Sequence, residues 1–272
     1  MKLKLSFFAL FALITFSVEG AVVDTLAVYS ESMKKNVQVI VISPDEKQTP
    51  KPVVYLLHGY SGNAKSWISM KPELKEIADR DGLILVCPDG KNSWYWDSPK
   101  DPSSRYETFV SSELINYIDS KYPTVKSRLG RAITGLSMGG HGAMWLSFRH
   151  KDVFGAAGST SGGVDIRPFP NNWEMSKQLG KECDNQELWN RHTAISQIDR
   201  LRNGDLAIII DCGYGDFFFE VNNDFHKKLL KYKIDHDFIV RPGVHNGDYW
   251  KNSIEYQLLF FKNFFNKNKG KK

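Results

Sequence analysis

Short apolar segments alternate with amphipathic segments along most of the chain, and this alternation restricts the possible folds more than any other feature. The amphipathic segments repeat apolar residues every three or four positions, which predicts helices. Several of the short segments lack polar alternation, as is typical of strands that are covered on both faces. The predicted strands are residues 22–29, 37–42, 53–57, 83–86, 132–134, 206–210 and 236–240. The predicted helices are residues 106–118, 142–148, 221–232 and 254–265.

This order of elements predicts an α/β fold with a mostly parallel central sheet and helices on both of its faces. Only a short polar gap separates the first two strands, so we expect them to form an antiparallel hairpin at the edge of the sheet. Between residues 161 and 200 the pattern weakens into Gly, Pro, Trp and charged residues, which we interpret as an excursion over the edge of the sheet. Residues 21–272 are expected to form one domain.

The first twenty residues have the composition of a secretory signal. Lys2 and Lys4 precede an apolar run over residues 5–16, and small residues surround a cleavage point between Gly20 and Ala21. The apolar run is shorter than the roughly 20 residues that cross a bilayer. We therefore favour a signal over a buried core helix. No cysteine lies near the cleavage point to carry a lipid anchor. We therefore expect export to the periplasm or the extracellular space without membrane insertion.

Charge and cysteine content argue against several classes of protein. The net charge of +5 comes from the chain ends, where seven lysines lie before residue 5 or after residue 261. A nucleic-acid-binding protein needs a basic face within its fold, so no nucleic-acid partner is expected. Cys87, Cys183 and Cys212 are too few for a disulfide framework and lack metal-ligand spacing. We interpret them as structural and expect neither a metal nor an organic cofactor.

The segment Gly135-Leu136-Ser137-Met138-Gly139 follows a predicted strand and precedes a predicted helix. It has the G-x-S-x-G pattern in the context that the pattern requires, which is a strand, a tight turn and a helix. The turn holds the serine in a strained conformation, and small neighbours allow the strand and the helix to approach each other. The motif therefore predicts that Ser137 presents its hydroxyl at the carboxyl edge of the sheet, as the nucleophile of an acyl transfer.

A serine hydroxyl needs a general base, and His245 is the histidine best placed to act as one. It occurs in a polar loop between the last predicted strand and the last predicted helix, and this loop can reach the carboxyl edge of the sheet. The remaining histidines fall in helices, in a strand or in earlier parts of the chain, and they are His58, His141, His150, His192, His226 and His236.

The base needs an orienting carboxylate, which is expected in the loop after residues 206–210. Asp211 and Asp216 both occur there. Asp211 continues the strand and could equally cap the turn, whereas Asp216 follows two glycines that can bend the chain. We therefore predict Asp216 as the acid. Asp248 is close to His245 in the sequence, but adjacency within a loop does not place a carboxylate at the imidazole Nδ1.

Two backbone N–H groups are predicted to bind the oxyanion that forms during acyl transfer. One belongs to Met138, the residue after the nucleophile. The other is expected in the loop after residues 53–57, which reads His58-Gly59-Tyr60, and we predict the N–H of Tyr60. A tight turn without a catalytic role is the alternative for this loop.

Four segments resemble the esterase D-like family of α/β-hydrolases, and the resemblance covers residues 37–265. The segments are Leu56-Leu57-His58-Gly59-Tyr60, Pro88-Asp89-Gly90, Gly135-Leu136-Ser137-Met138-Gly139-Gly140 and Gly243-Val244-His245. The family includes S-formylglutathione hydrolases, mycolyltransferases, and the feruloyl and acetylxylan esterases of carbohydrate esterase family 1. The resemblance implies an α/β-hydrolase fold and ester hydrolysis, with the same nucleophile, acid, base and oxyanion donors. Family members often carry a tryptophan soon after the histidine, whereas here three residues and a tyrosine precede Trp250.

Tryptophan residues are the predicted substrate-binding residues. Trp94 and Trp96 follow the Pro88-Asp89-Gly90 segment, and they are predicted with Trp67 to contact the substrate, with Trp173 as a further candidate. Aromatic faces suit a phenolic acyl group or a sugar ring. The alternative is that these tryptophans pack the loops.

The sequence as a whole predicts a secreted serine carboxylesterase that forms an acyl-enzyme on Ser137. Its expected substrate is a small ester or an acylated oligosaccharide, with feruloyl or acetyl groups on plant polysaccharides as the favoured class. Export argues against a glutathione thioester, because glutathione is cytosolic. The alternatives are an acyltransferase to a sugar acceptor, a thioesterase like the S-formylglutathione hydrolases, and an inactive ligand-binding homologue.

Overall fold

One eight-stranded sheet organises the computed structural model, which describes residues 20–46 and 48–270. The strand order is β1-β2-β4-β3-β5-β6-β7-β8. The strands are β1 (Val22–Ser30), β2 (Lys35–Ser43), β3 (Val53–Leu57), β4 (Ile84–Pro88), β5 (Arg131–Gly135), β6 (Ala156–Thr160), β7 (Ala207–Gly213) and β8 (Asp237–Arg241). β2 pairs antiparallel with β1 and β4, and the other neighbours are parallel. The predicted mostly parallel sheet with an antiparallel edge hairpin is confirmed.

Helices follow most of the parallel strands and cover the sheet. They are α1 (Ser66–Met70), α2 (Leu74–Asp81), α3 (Tyr106–Thr108), α4 (Leu114–Lys121), α5 (Met138–Arg149), α6 (Met175–Leu179), α7 (Gln186–Arg191), α8 (Phe219–Lys231) and α9 (Gly247–Asn268). A π-helical turn at Phe109–Glu113 joins α3 to α4, so the predicted helix over residues 106–118 is present with an interruption. The helix after Ser137 begins at Met138, four residues before its predicted start.

The two faces of the sheet carry separate apolar cores. In β3, Val53, Tyr55 and Leu57 belong to one core, whereas Val54 and Leu56 belong to the other. All five side chains are buried, which explains why this strand reads as a continuous apolar run. The alternation of side chains along a strand directs successive residues to opposite faces. Helices on both faces, as predicted, contribute further side chains to each core.

The strand β6 was not predicted, because its residues carry little apolar side chain. Its sequence is Ala-Ala-Gly-Ser-Thr, and every one of these residues is buried. A Cβ added at Gly158 would lie within about 3 Å of Thr134 and Phe261 side-chain atoms, so α9 approaches the strand too closely for larger residues. Close packing thus selects small residues here and removes the apolar pattern on which the prediction depends.

The excursion over residues 161–200 contains α6 and α7 and is anchored by buried apolar side chains. Met175, Leu179 and Trp189 are fully buried in the core that also contains Leu57. The excursion connects β6 to its neighbour β7. The chain therefore leaves the carboxyl end of β6 and packs against the core that contains Leu57 before it enters β7.

The predicted secretory signal falls outside the described residues, apart from Gly20. Among residues 20–46 and 48–270, no helix has the length and apolar content needed to cross a membrane. Cys87 and Cys212 are buried, Cys183 is exposed, and all three are free thiols.

Replacing Gly139 by alanine is expected to destabilise the protein by about 3 kcal/mol, because overpacking a rigid site costs energy in this range. The added Cβ would collide with the backbone carbonyl of Leu57. Gly247→Ala is the matched control, since its Cβ would meet nothing closer than the Met70 sulfur at 3.5 Å. The free energy of unfolding of both variants, from urea titration, checks this expectation. Equal stabilities of the two variants would contradict it.

Candidate active site

Ser137 lies in the turn between β5 and α5, with a left-handed backbone conformation of φ 56° and ψ −117°. Such a conformation costs about 1–3 kcal/mol in a residue with a side chain. The surrounding structure maintains it, because the Ser137 N–H donates to the carbonyl of Thr160 at 3.0 Å and its carbonyl accepts from His141 at 3.1 Å. The absence of a side chain at Gly139 allows α5 to start directly against β3. The serine hydroxyl is thereby presented at the carboxyl edge of the sheet.

Ser137, His245 and Asp216 form a continuous hydrogen-bonded chain. The Ser137 Oγ lies 3.0 Å from the His245 Nε2. On the other side of the ring, the His245 Nδ1 lies 2.8 Å from Asp216 Oδ2 and 3.0 Å from Oδ1. The Asp216 side chain is fully buried, and its Oδ1 also accepts from the N–H of Phe218 at 2.8 Å. The structure therefore brings the predicted nucleophile, base and acid together, whereas their roles in catalysis stay predictions.

The loops that carry Asp216 and His245 are held together by their backbones. These loops follow β7 and β8, which are parallel neighbours. The N–H of Tyr214 donates to the carbonyl of Arg241, and that of Gly215 donates to Gly243, both at 3.0 Å. A Cβ at Gly213 would lie 2.5 Å from the carbonyl oxygen of Gly243, so this contact needs a glycine. The glycines that favoured Asp216 in the sequence thus permit the two loops to touch.

Asp211, the alternative acid, points into a different network. Its carboxylate accepts hydrogen bonds from the hydroxyls of Thr160 and Ser253, and from the Gln257 amide at 2.8 Å. Asp211 is fully buried, and this burial raises the pKa of its carboxyl group. The network joins β6, β7 and α9. Asp211 therefore supports the sheet beneath the site, and Asp216 alone of the two contacts His245.

The predicted oxyanion donors flank the nucleophile. Met138 is the first residue of α5, and the loop with Gly59 and Tyr60 packs against the turn, where a Cβ on Gly59 would lie 3.4 Å from the Ser137 Cβ. In the described part of the chain, the N–H groups of Tyr60 and Met138 donate to no protein acceptor. Both groups are therefore free to bind an oxygen of a substrate, as expected for an oxyanion site.

His58 has a structural role that the sequence analysis missed, since it was considered only as a base. The ring is buried, with Nδ1 2.7 Å from the Gly59 carbonyl, and Nε2 accepting from the Gly90 N–H at 2.8 Å. The His58 carbonyl also accepts from the hydroxyl of Tyr95 at 3.1 Å. These bonds tie the Tyr60 loop to the loop after β4. The spacing between the His58-Gly59 and Asp89-Gly90 segments was visible in the sequence, but their contact was not.

A cleft of about 310 Å³ opens over the nucleophile. Its walls are formed by Gly59, Tyr60, Ser61, Gly62, Ser66, Met70, Leu136, Ser137, Trp173, Phe217, His245 and Trp250. Three aromatic rings contact the imidazole, with centroids 4.2 Å away for Phe217, 4.9 Å for Trp250 and 5.3 Å for Phe218. Asn246 explains the spacing before Trp250, because its side chain caps α9 by accepting from the Tyr249 N–H at 3.0 Å. The first turn of α9 then places the ring of Trp250 against the imidazole of His245.

The structure corrects the prediction that Trp67, Trp94 and Trp96 contact the substrate. Each is at most 1% exposed, and none lines the cleft. The Trp67 indole donates to the Leu57 carbonyl at 3.0 Å, and Trp94 stacks on Trp96 with centroids 5.7 Å apart. Trp67 packs from α1 into one core, and Trp94 and Trp96 pack the loop after β4 into the other. Burial of an indole against apolar neighbours is favourable. Trp173, the further candidate, does line the cleft.

His141, one turn after the nucleophile, is fully buried between aromatic rings. Burial lowers the pKa of its imidazole to about 3. The ring is therefore neutral at ordinary pH, and the hydrogen bond of the Ser137 hydroxyl is with His245 instead.

Comparison with known proteins identifies a common family. A family model described as "Putative esterase" matches residues 30–261. The acetyl esterase of Caldicellulosiruptor saccharolyticus is 25% identical over 254 residues, which cover 83% of this chain and 92% of the relative. The diacylglycerol acyltransferase/mycolyltransferase Ag85B of Mycobacterium leprae is 31% identical over 220 residues, 74% of this chain and 65% of the relative.

Solved structures share the fold. A ferulic acid esterase superposes with a TM-score of 0.77 at 28% identity, over 90% of this chain and 98% of its own. FphF, a fluorophosphonate-binding serine hydrolase of Staphylococcus aureus, gives a TM-score of 0.79 at 21% identity, over 90% and 100%. The predicted α/β-hydrolase fold is confirmed.

Asp216→Asn is expected to lower kcat by about 10⁴-fold, because a neutral amide no longer stabilises the imidazolium or selects the correct tautomer. Asp248→Asn is the matched control, since Asp248 is near His245 in sequence but has an 85% exposed side chain that pairs with Lys251. Initial rates with p-nitrophenyl acetate measure both effects. A similar loss in the two variants would contradict the assignment of Asp216.

Proposed function

We propose that this chain, which belongs to the esterase family, is an exported serine carboxylesterase that removes acetyl or feruloyl groups from plant polysaccharides or oligosaccharides. Family membership makes the chain a carboxylic ester hydrolase. The catalytic residues, the export and the substrate are our proposals. The observation that carries the catalytic assignment is the hydrogen-bonded chain from the Ser137 hydroxyl through His245 to the buried Asp216 carboxylate.

In the first half of the proposed reaction, the Ser137 Oγ attacks the carbonyl carbon of the ester. His245 Nε2 takes the hydroxyl proton, and the Asp216 carboxylate stabilises the imidazolium that results. The carbonyl oxygen becomes an oxyanion, which accepts hydrogen bonds from the N–H groups of Tyr60 and Met138. The tetrahedral intermediate then collapses, the bond to the alcohol oxygen breaks, and His245 returns the proton to that oxygen.

In the second half, water replaces the alcohol. His245 accepts a proton from the water as it attacks the acyl-enzyme, and the same two N–H groups bind the second oxyanion. Collapse breaks the bond to Ser137, whose oxygen regains the proton, and the carboxylic acid leaves. Proton balance is restored at the end of each turnover.

An acyltransferase is the second candidate, because the relative Ag85B carries that activity in its name. Transfer to a sugar requires that water be kept from the acyl-enzyme. Phe217, which forms one wall of the cleft, is 53% exposed, and the His245 side chain is 14% exposed. Water therefore reaches the base, which favours hydrolysis.

Two relatives and the lining of the cleft support the choice of acetyl and feruloyl as the acyl groups. The acetyl esterase relative matches nearly its full length, and the ferulic acid esterase structure covers most of this chain. The lining of the cleft of about 310 Å³ includes the apolar side chains of Met70, Leu136 and Trp250, which suit the acyl part of either ester.

Wild-type protein is expected to hydrolyse p-nitrophenyl acetate, and methyl ferulate or acetylated xylan as well, whereas Ser137→Ala lowers kcat by about 10⁶-fold, as loss of a serine nucleophile does. A fluorophosphonate probe is expected to label the wild type and not this variant. Ser120→Ala is the control, since in the described part of the chain this exposed hydroxyl bonds only to the Tyr117 carbonyl. Undiminished labelling of Ser137→Ala would rule out this nucleophile.

Export is supported by the position of Ala21, the first residue after the predicted cleavage point. Its backbone nitrogen lies 2.5 Å from Asp79 Oδ2. Cleavage before Ala21 would convert this nitrogen to an ammonium group, and the hydrogen bond would become a charge-assisted one, which is stronger. The fold thus already provides a carboxylate for the new terminus.

Full-length protein produced in a bacterial host is expected to accumulate outside the cytoplasm with Ala21 as its first residue. Intact mass and terminal sequencing of each cell fraction measure this. A full-length product confined to the cytoplasm would refute the proposed export. A variant without residues 2–20 serves as the control that stays inside the cell.

A further inference from the structure

Two aromatic side chains form an accessible surface beside the proposed base. Trp173 and Phe217 stack with centroids 5.8 Å apart and an angle of 19° between their planes. We call this pair the aromatic ledge. Phe217 is 53% exposed although its ring lies 4.2 Å from that of His245. Exposed aromatic groups that line a cleft are typical of ligand contacts. Their apolar surface is in water in the free protein, and a ligand that covers it lowers the free energy.

The backbone holds Trp173 over the cleft in a strained conformation. Trp173 has φ 48°, and the next residue, Glu174, has φ 54°, so two successive residues with side chains occupy the left-handed region. The Trp173 carbonyl accepts from the Trp94 indole at 3.4 Å, and its ring packs against Phe218 at 5.1 Å. Strain that is maintained by neighbouring contacts is typical of functional positions.

Polar groups lie along the edge of the ledge. The Glu174 carboxylate accepts from Lys177 and, at 3.3 Å, from the amide of Asn92, and these bonds lower its pKa. Tyr60 lines the same cleft as Trp173 and Phe217, and burial and the Glu174 charge raise the pKa of its phenol. A carboxylate and an amide therefore lie next to Trp173, and a phenol lies in the same cleft.

We propose that the aromatic ledge and Glu174 form the binding site for the alcohol part of the ester, and that this alcohol is a sugar ring. This inference rests on the proposed function. His245 must return its proton to the departing alcohol oxygen, so the alcohol leaves beside the imidazole that Phe217 contacts. A sugar ring offers an apolar C–H face to stack on the ledge and hydroxyls at its edge that donate to Glu174. An alkyl or aryl alcohol has no group for this carboxylate.

The test compares two acetate esters that differ only in the alcohol, acetylated xylo-oligosaccharide and ethyl acetate. Trp173→Ala is expected to lower kcat/KM for the sugar ester about tenfold more than for ethyl acetate, with Trp173→Phe intermediate. Glu174→Gln is expected to act mainly through KM of the sugar ester. Thermal unfolding and fluorophosphonate labelling establish that each variant is folded with an intact nucleophile. Equal losses on the two esters would overturn the proposal.

The two buried tryptophans behind the ledge supply a matched pair of variants. Trp94 and Trp96 are both at most 1% exposed and stack on each other. The Trp94 N–H donates to Trp173, whereas the Trp96 N–H has no partner among the residues that the structure describes. Trp94→Phe is therefore expected to reduce the preference for the sugar ester severalfold, and Trp96→Phe to retain it. Equal preference in both would show that Trp94 does not position the ledge.

Failure of this inference differs from failure of the proposed function. If the wild type hydrolyses neither ester, the proposed esterase activity is wrong. If it hydrolyses ethyl acetate as efficiently as the sugar ester, the esterase remains and the sugar site is wrong. If it prefers aryl over sugar alcohols of the same acyl group, the ledge binds aromatic rings, and the assignment of Glu174 is overturned.

Discussion

The close approach of α5 to β3 and β5 is the constraint on which the site depends. It requires that Gly139 have no side chain, since a Cβ there would strike the Leu57 carbonyl. This approach forces Ser137 into a left-handed conformation and leaves the N–H of Met138, at the start of a helix, without an acceptor among the described residues. One steric requirement therefore produces both the exposed hydroxyl and one oxyanion donor. The loop of Tyr60 supplies the other donor from β3, the strand that the glycine contacts.

Backbone strain is concentrated at the carboxyl edge of the sheet. Residues with side chains and positive φ there include Ser61, Trp94, Ser137, Ser161 and Trp173. Each such residue costs about 1–3 kcal/mol, so the rest of the fold must offset these conformations. The buried network around Asp211 and the two cores contribute that stability away from the cleft. The groups at the edge are consequently ordered before a substrate binds, and little reorganisation accompanies the reaction.

The sequence predicts features that depend on local pattern and misses those that depend on tertiary packing. The elbow at Ser137 and the turn glycines before Asp216 have local causes, and both were recognisable. The strand at residues 156–160 was not, because close packing by α9 requires small residues that carry no apolar pattern. The burial of Trp94 and Trp96 was also hidden, since an exposed and a buried tryptophan look the same in a sequence. The roles of His58 and Phe217 depend on contacts between distant segments.

The two proposed oxyanion donors are main-chain groups, and this has an evolutionary consequence. A substitution at Tyr60 changes the side chain at the cleft rim while the donating N–H stays in place. The positions of Trp173 and Phe217 likewise border the cleft without belonging to the hydrogen-bonded chain of Ser137, His245 and Asp216. Selection can therefore alter the choice of ester at these positions independently of the chemistry. A protein with this division can change its substrate by single substitutions, and the enzyme remains active after each of them.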